Sequence, residues 1–453
     1  MKKIYYFFNA IVFIMMGSIL IITCKNAPAK KENEKAMGMI GAVQKPAAPA
    51  QPSFLFISDI HLESTQAVTR PFEHDDTGMD LWKNFLLKAN AVLAQPNSPN
   101  FIIYTGDLPG HYGLGYLPAG APRAAHDTNM VLVLDSLRQL ATRNHKSLFY
   151  LPGNNDAVAG DYFPFGYGNN YTPFSLIDET KNPYPAVNIN KGTTNPPYMI
   201  SQPDTSMGYY SACPASGIRL IAMNTVVYTN SFFNACRGKY VNRDPLAYSD
   251  SQMVWLSAQL ADAKRLGEKV YIAMHVPPGV NIHAKGSYDG NWVNEKSPTS
   301  NMNYNDWFLT IVDQYKDTCI EAILYGHTHM DELRRMYNSN DQVTAIGISC
   351  PGISPNYDNN PGFKTVTYDP ASKSLLDFTT YYMSLKNSYW GNDTYTYSAS
   401  FNKTSGSQSI FQQLSVMPLS TINTNMHKIF MVKNGYGSSN MQKGIEVKFT
   451  GGK

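Results

Sequence analysis

Five short segments of the chain carry side chains that could bind metal ions, and each follows an apolar run. The segments are Asp59-Ile60-His61, Gly106-Asp107, Gly153-Asn154-Asn155-Asp156, His275 and Gly326-His327-Thr328-His329. Each segment comes at or just past the end of a run that predicts a strand: SFLFIS, NFIIYT, SLFYLP, KVYIAM and EAILY. A pair of metal ions held by such residues would activate water for attack on phosphorus.

The candidate ligands combine carboxylate, imidazole and amide donors. Asp59 and His61 are two residues apart at a strand end, so both side chains can point to one side of the chain. Asp107 follows a glycine that permits a sharp exit from its strand, and its two carboxylate oxygens could bridge two cations. Mixed nitrogen and oxygen ligands without thiolate suit zinc, manganese or iron. The predicted ligands are Asp59, His61, Asp107, Asn154, His275, His327 and His329.

Each candidate also has a structural explanation when it is taken alone. A histidine at a strand end, such as His275, is more often a hydrogen-bonded core residue than a ligand. Asp107 after Gly106 could be only a turn residue. A shared site requires this clustering of ligand types at strand ends, and the five segments together favour metal binding. We therefore predict two metal ions, and the donor types leave zinc, manganese and iron open.

Length and composition are those of a globular protein with a large core. The chain has 453 residues, of which 43% are hydrophobic and 16% charged, and its formal net charge is +3. The body of the chain contains no Lys/Arg-rich run, so nucleic acid is not expected as a partner. Length alone allows two or three domains and leaves the oligomeric state open.

The N-terminus predicts export. Lys2 and Lys3 precede an apolar stretch over residues 4–22, which is the pattern of a secretory signal. An uncleaved membrane anchor is the alternative, because the stretch is nearly long enough to span a bilayer. Cys24 resembles an acylated lipoprotein cysteine, although Thr23 fits that pattern poorly. Residues 1–24 are therefore predicted as a signal segment and residues 25–52 as a disordered linker. The protein would be periplasmic, secreted or membrane-anchored.

Four further cysteines, an even number, suggest disulfides in an exported protein. Proximity in the sequence favours the pairs Cys213–Cys236 and Cys319–Cys350. Buried free thiols are the alternative.

Strands and helices alternate along residues 53–381. Helices are predicted over residues 79–93, 128–143, 250–266 and 304–315. The third would begin with a capping box of Ser249 and Gln252 and end at Gly267. The alternation predicts sheets covered by helices, in an α/β or α+β sandwich. Residues 53–381 would form a catalytic domain, and residues 382–453 a smaller C-terminal subdomain.

Longer stretches around these segments resemble a known family. They are GDLPGH (residues 106–111), MGYYS (207–211), QMVWLSAQLADAKRLGEKVYIAMHVPPG (252–279), GHTHMDELRRM (326–336) and ISPNY (353–357). Over residues 54–385 the chain resembles the calcineurin-like metallophosphoesterase superfamily, within it the acid sphingomyelinase and sphingomyelinase-like phosphodiesterase branch. The resemblance implies an α+β, α/β-like four-layer fold: a two-sheet β-sandwich flanked by helices, with a small C-terminal subdomain.

The resemblance also implies an activity and a division of the ligands. It implies hydrolysis of phosphodiester or nucleotide phosphoanhydride bonds, with in-line attack on phosphorus by a hydroxide that bridges the metals. The first zinc would be bound by Asp59, His61, Asp107 and His329. The second zinc would be bound by Asp107, Asn154, His275 and His327.

Two further positions bear on catalysis. His111 matches the second active-site histidine of the branch, and we assign it as the general acid for the leaving group. Asn155 stands where the superfamily usually has a histidine. An amide can donate a hydrogen bond to a developing oxyanion but cannot deliver a proton, so Asn155 is expected to act as an electrostatic aid. A catalytically weakened fold that serves as a ligand-binding protein is the alternative.

Departures from related families narrow the substrate. Purple acid phosphatases have a tyrosine three residues after the bridging aspartate, where this chain has Gly110, so a Tyr–Fe(III) site is not expected. Two divalent ions are expected instead, with zinc favoured and Mn²⁺ or Fe²⁺ as alternatives. Membrane-acting sphingomyelinases carry a saposin domain where this chain has only residues 25–52. A soluble phosphodiester or nucleotide is therefore favoured, with sphingomyelin and its lipid headgroup as the alternative. Aromatic loops at residues 112–122, 162–174 and 281–305 could stack on a base, line a lipid site or simply pack on the core.

Overall fold

A computed structural model describes residues 51–69, 75–113, 115–118, 120–165, 198–203, 207–284, 290–385, 390–433 and 441–450. The predicted signal segment and nearly all of the predicted linker lie outside these ranges. Within them, every helix is too short or too polar to cross a lipid bilayer.

The strands form two mixed sheets. Numbered in chain order, the strands of the first sheet are β1 (Ser53–Ile57), β2 (Phe101–Tyr104), β3 (Ser147–Tyr150), β11 (Gly362–Tyr368), β12 (Leu375–Tyr382) and β13 (Thr394–Thr396). Those of the second are β4 (Tyr198–Ser201), β5 (Tyr210–Ala215), β6 (Ile218–Ala222), β7 (Lys269–Ala273), β8 (Ile320–Tyr325), β9 (Leu333–Tyr337), β10 (Val343–Ser349) and β14 (Glu446–Val447). The spatial orders are β13-β12-β11-β1-β2-β3 and β14-β9-β10-β8-β7-β6-β5-β4. Strands β1, β2 and β3 are mutually parallel, as are β6, β7, β8 and β10.

Nine helices are described along the same ranges. They are α1 (Met79–Leu93), α2 (Ala121–Arg143), α3 (Asn230–Arg237), α4 (Leu246–Leu266), α5 (Tyr304–Tyr315), α6 (Tyr397–Ser400), α7 (Ile410–Leu414), α8 (Leu419–Met426) and α9 (Met441–Gly444).

The apolar runs are buried on both faces because the two sheets stack on each other and helices cover their outer faces. Phe54 and Phe56 of β1 face inward and share a core with residues of the second sheet such as Tyr271. Leu55 and Ile57 face outward and pack with α1 and α2. Helices α4 and α5 cover the other sheet in the same way. The predicted four-layer sandwich of two sheets flanked by helices is confirmed.

Helix α4 begins earlier than the sequence pattern suggested, so the predicted capping box is wrong. The helix starts after Pro245 and places Ser249 and Gln252 inside its first two turns. Their side chains bond a neighbouring segment instead: Ser249 Oγ donates to the Val227 carbonyl (2.8 Å) and Gln252 Nε2 to that of Asn224 (2.9 Å). Gly267 ends the helix in the left-handed conformation (φ 70°), as predicted.

The segment after Tyr382 contributes to both sheets and to the inner core. Strand β13 pairs with β12, and β14 pairs with β9. Side chains of α6, α7 and α8, such as Tyr397, Ile410 and Ile422, pack in the core between the sheets. The boundary at residue 382 stays a prediction.

The two predicted disulfides are not formed. Cys236, Cys319 and Cys350 are buried free thiols. Cys319 lies under α4 and α5 on the outer face of the second sheet, whereas Cys350 lies in the core between the sheets. The sheet itself therefore separates the two cysteines that sequence proximity paired.

Candidate metal centre

Loops that follow parallel strands of both sheets meet at one edge of the sandwich. The turn after β1 is bonded to the turn after β2, with Asp59 N donating to the Gly106 carbonyl (3.0 Å). In the second sheet, Gly326 N after β8 donates to the His275 carbonyl after β7 (3.1 Å). The sheets approach closely here, because a Cβ added to Gly326 would lie 2.0 Å from Ser58 Oγ. Strand ends distant in sequence are thus brought to one place.

Five of the seven predicted ligands have a backbone conformation that non-glycine residues rarely adopt. The φ angles are 49° for Asp59, 47° for His61, 63° for Asp107, 71° for His327 and 60° for His329. Such conformations cost energy and persist where surrounding structure enforces them, commonly at functional sites.

The histidines present one ring nitrogen to the centre because the other is bonded to backbone. Nδ1 faces the carbonyl oxygen of Pro109 in His61 (3.2 Å), of Thr105 in His275 (2.7 Å) and of Ser354 in His329 (3.4 Å). A carbonyl oxygen only accepts, so each Nδ1 carries the hydrogen and Nε2 is left toward the centre. This arrangement is typical of metal-binding histidines.

The ring nitrogens and the carboxylate and amide oxygens that face the centre lie close to one another, a spacing that bound cations would stabilise. His61 Nε2 and His329 Nε2 are 3.1 Å apart, and His275 Nε2 is 3.1 Å from Asn154 Oδ1. Asp107 Oδ2 lies between the two clusters, 3.3 Å from His61 Nε2 and 3.2 Å from His275 Nε2. His327 shares a cluster with Asp107 and His275, and Asp59 shares one with His61 and Asp107. This donor set fits two metal ions that share Asp107.

Burial and mutual charge shift the pKa values of these groups. Burial lowers the pKa of His61 to about 3 and holds those of His327 and His329 well below the usual range. Burial also raises the pKa of Asp59 to about 7. Burial acts against the charged forms of Asp107 and His275 as well, but their mutual attraction prevails: the pKa of Asp107 falls well below its usual value and that of His275 rises to about 9. A cation would replace the proton on His275.

Asp156 braces the two turns that carry Asp107 and Asn154. Its carboxylate accepts hydrogen bonds from the backbone N–H groups of Asp107 (3.0 Å), Leu108 (2.6 Å) and Gly153 (2.7 Å), and from Tyr150 OH (2.7 Å). Sequence reasoning included Asp156 in a segment without assigning this role.

Asn155 contacts the shared carboxylate. Its backbone N–H donates to Asp107 Oδ1 (2.9 Å) and its Nδ2 to Asp107 Oδ2 (3.0 Å). The amide therefore orients Asp107 in this structure.

His111 lies at the rim of the centre beside a carboxylate that sequence reasoning missed. Its ring stacks on His61 at 4.0 Å, and its side chain is 33% exposed. Nδ1 is 2.7 Å from Asp76 Oδ1, and the backbone N–H of His111 donates to Asp76 Oδ2 (2.6 Å). Burial opposes protonation of His111, but the hydrogen bond and charge of Asp76 raise its pKa above the usual value. Gly110 makes this contact possible, because a Cβ there would lie 2.8 Å from Asp76 Oδ2.

Replacing Gly153 with alanine should destabilise the fold and the metal centre together. The added Cβ would lie 2.2 Å from Asp107 Oδ1 and 2.5 Å from Asp107 N, so the two turns must separate. We expect the free energy of unfolding to fall by about 2 kcal/mol or more, and metal affinity to fall as well. Denaturant unfolding and zinc titration measure the two effects. Gly406→Ala, where a Cβ meets no atom within 4 Å, is the control and should change neither; an unchanged Gly153→Ala protein would contradict the packing described.

Comparison with known protein families matches residues 52–331, more than half of the chain, to calcineurin-like phosphoesterases. The chain belongs to this family. The resemblance found in the sequence is thereby confirmed, and the family is one of metal-dependent phosphoesterases.

Curated relatives of this metallophosphoesterase are named phosphodiesterases. The chain is 29% identical over 316 residues to sphingomyelinase phosphodiesterase C of Dictyostelium discoideum, a match covering 65% of this chain and 60% of that protein. It is 26% identical over 364 residues to cyclic GMP-AMP phosphodiesterase SMPDL3A of Rattus norvegicus, covering 75% and 73%. A dimetal phosphatase from Danio rerio is similar in structure with a TM-score of 0.43 and 14% identity, covering 77% of this chain and 98% of that one.

Proposed function

We propose that this metallophosphoesterase hydrolyses phosphodiester or nucleotide phosphoanhydride bonds with two zinc ions. The observation that carries the proposal is the position of Asp107 Oδ2 at 3.3 and 3.2 Å from two inward-facing histidine nitrogens. One ion would be held by Asp59, His61, Asp107 and His329, and the other by Asp107, Asn154, His275 and His327. When bound, the ions lower the pKa of water and offset negative charge on the phosphoryl oxygens.

The residues of the chain supply orientation and a proton. Asp76 binds Nδ1 of His111, so Nε2 of that ring is the atom left to hold the proton for the departing oxygen. Stacking on His61 fixes the ring plane next to the ligands. Asn155 orients Asp107 through two hydrogen bonds, and the second N–H of its Nδ2 would be the donor for a developing oxyanion. One histidine, His111, therefore acts as general acid.

A nucleotide ester is the favoured substrate class and sphingomyelin the second candidate. Relatives are named for each: a cyclic GMP-AMP phosphodiesterase and a sphingomyelinase phosphodiesterase. We further propose export, for which the basis is the N-terminal pattern of Lys2, Lys3 and the following apolar residues.

Metal reconstitution tests the activity. The full chain, stripped with a chelator and reloaded, should bind two zinc ions by mass spectrometric metal analysis. It should then recover hydrolysis of bis-p-nitrophenyl phosphate and a cyclic dinucleotide, and manganese reloading tests the choice of metal. Faster hydrolysis of sphingomyelin in micelles would favour the second candidate. If the protein binds two ions but hydrolyses none of these substrates, the hydrolase proposal is wrong and a ligand-binding function takes its place.

A further inference from the structure

A cavity of about 440 Å³ opens beside the metal centre. Asp161 and Tyr162, which line it, connect it to the second ligand cluster: Asp161 Oδ1 accepts from Asn154 Nδ2 (2.8 Å), and Tyr162 N donates to the Asn154 carbonyl (3.0 Å). Two lining residues thus contact the candidate ligand Asn154, which places the cavity within reach of a group attached to a phosphate at the metal centre. The volume of the cavity lies in the range of small-ligand pockets, roughly 300–1,000 Å³.

Tightly packed backbone forms two sides of the cavity. The loop that contains Gly115 and Tyr116 crosses the loop after Asp156 so closely that a Cβ on Gly160 would lie 2.1 Å from the Gly115 carbonyl oxygen. Leu117 N also donates to the Ala159 carbonyl (2.8 Å). The cavity is thus built into the fold.

Helix α3 forms a third side and turns its small residues toward the cavity. Ser231, Asn234 and Ala235, spaced three and four apart along one helix face, line it. Phe232 and Phe233 of the same helix are buried in the core beneath. The small face leaves room for a ligand.

The walls are aromatic, and one basic side chain lies on them. The rings of Tyr116 and Tyr240 stack at 4.4 Å, and Tyr116 lies 5.8 Å from Phe163. Tyr240 is 47% exposed, so its ring is accessible to a ligand in the cavity. Lys239 Nζ lies 4.6 Å from the Tyr240 ring centroid. The Tyr240 ring, which could otherwise bind a quaternary ammonium by cation–π attraction, therefore already has the ammonium of Lys239 beside it.

We propose that this cavity binds the nucleobase of a nucleotide ester and disfavours choline. A flat base can extend the stack of Tyr116 and Tyr240 once the flexible Lys239 side chain moves off the ring, whereas the positive charge of choline is repelled by Lys239. The carboxylate of Asp161 accepts the amide of Asn154 at the end toward the metal centre. This inference rests on the proposed function and selects the first of its two substrate classes.

Three esters with the same leaving group distinguish binding in the cavity from the hydrolytic step, because they differ only in the group that would enter the cavity. They are the p-nitrophenyl esters of thymidine 5′-monophosphate, phosphorylcholine and methyl phosphate, assayed with the zinc-loaded full chain. We expect kcat/KM to be about tenfold higher for the nucleoside ester than for the methyl ester, mainly through KM, since stacking is worth about 1–3 kcal/mol per base. Tyr240→Ala should remove most of this preference. Lys239→Glu should raise kcat/KM for the choline ester about threefold or more.

Phe411→Ala is the matched control, because this half-exposed ring lines a different cavity with Lys269 and Glu321, near the opposite strand ends. It should leave the preference intact. An equal kcat/KM for the nucleoside and methyl esters, or equal losses on all three in Tyr240→Ala, would overturn the cavity assignment while the hydrolase stands. If no ester is hydrolysed, the proposed function fails. Binding measured by calorimetry then tests separately whether the cavity binds a nucleobase. Thymidine 5′-monophosphate must then bind more tightly than methyl phosphate to the wild type, but not to Tyr240→Ala.

Discussion

Asp107→Asn should reduce turnover of bis-p-nitrophenyl phosphate by about 10³-fold or more and lower the zinc content below two ions per chain. The charge of Asp107 serves both ligand clusters, since its Oδ2 is within 3.3 Å of His61 Nε2 and His275 Nε2. An amide lacks that negative charge and has one oxygen in place of two. Metal ions contribute several kcal/mol of transition-state stabilisation, and each 1.4 kcal/mol is about tenfold in rate. Stopped assays and metal analysis on the same preparation measure both effects.

The fold must survive this change for the result to be informative. The new amide would face two donors of Asn155, so a modest fall in thermal stability is expected. Asp135→Asn on α2 is the matched control: it removes an exposed ion pair with Arg138, worth at most about 1 kcal/mol, and should leave rate and metal content unaltered. Full activity in Asp107→Asn with two bound ions would contradict a bridging role.

His111→Ala should slow hydrolysis in proportion to how much the leaving group needs a proton. We expect a loss of about 10²- to 10⁴-fold on a cyclic dinucleotide, whose leaving oxygen is a sugar alkoxide, and far less on bis-p-nitrophenyl phosphate. Nitrophenolate departs without protonation, so it does not require the acid. The ratio of kcat on the two substrates tests the general-acid role, because a loss of structure or metal would reduce both kcat values equally.

Asp76→Asn probes how His111 is held. The carboxylate binds both Nδ1 and the backbone N–H of His111, and its charge favours the protonated ring. We expect a loss of about tenfold on the dinucleotide and little on the nitrophenyl ester. Unchanged zinc content is required in both variants.

Equal losses of kcat on the two substrates in His111→Ala would make this residue a structural support of His61 and not the acid.

The strand ends that carry the ligands could be predicted because each ligand follows a continuous apolar run. Helices α1 and α5 were predicted to the residue, and each buries one apolar face as its residue spacing indicated. Helix α4 was predicted four residues too short at its start, because Ser249 and Gln252 match a cap by type but bond the segment around Asn224 and Val227. Local patterns cannot distinguish those two uses of the same side chains.

The sequence by itself determined the strand-end motifs and, through them, the family, because a motif is a residue with its immediate neighbours; the two-sheet architecture and the set of candidate ligands followed from the resemblance to that family. Only the tertiary structure decided which groups act on one another. Asp76 meets His111 across 35 positions, Asn155 turns to Asp107 across 48, and Tyr240 of the turn after α3 stacks on Tyr116 of a distant loop. The two disulfides predicted from proximity in the sequence were wrong for the same reason. A hydrogen bond, a stacked ring or a disulfide depends on distance in space, and once the sheets stack, distance along the chain no longer measures it.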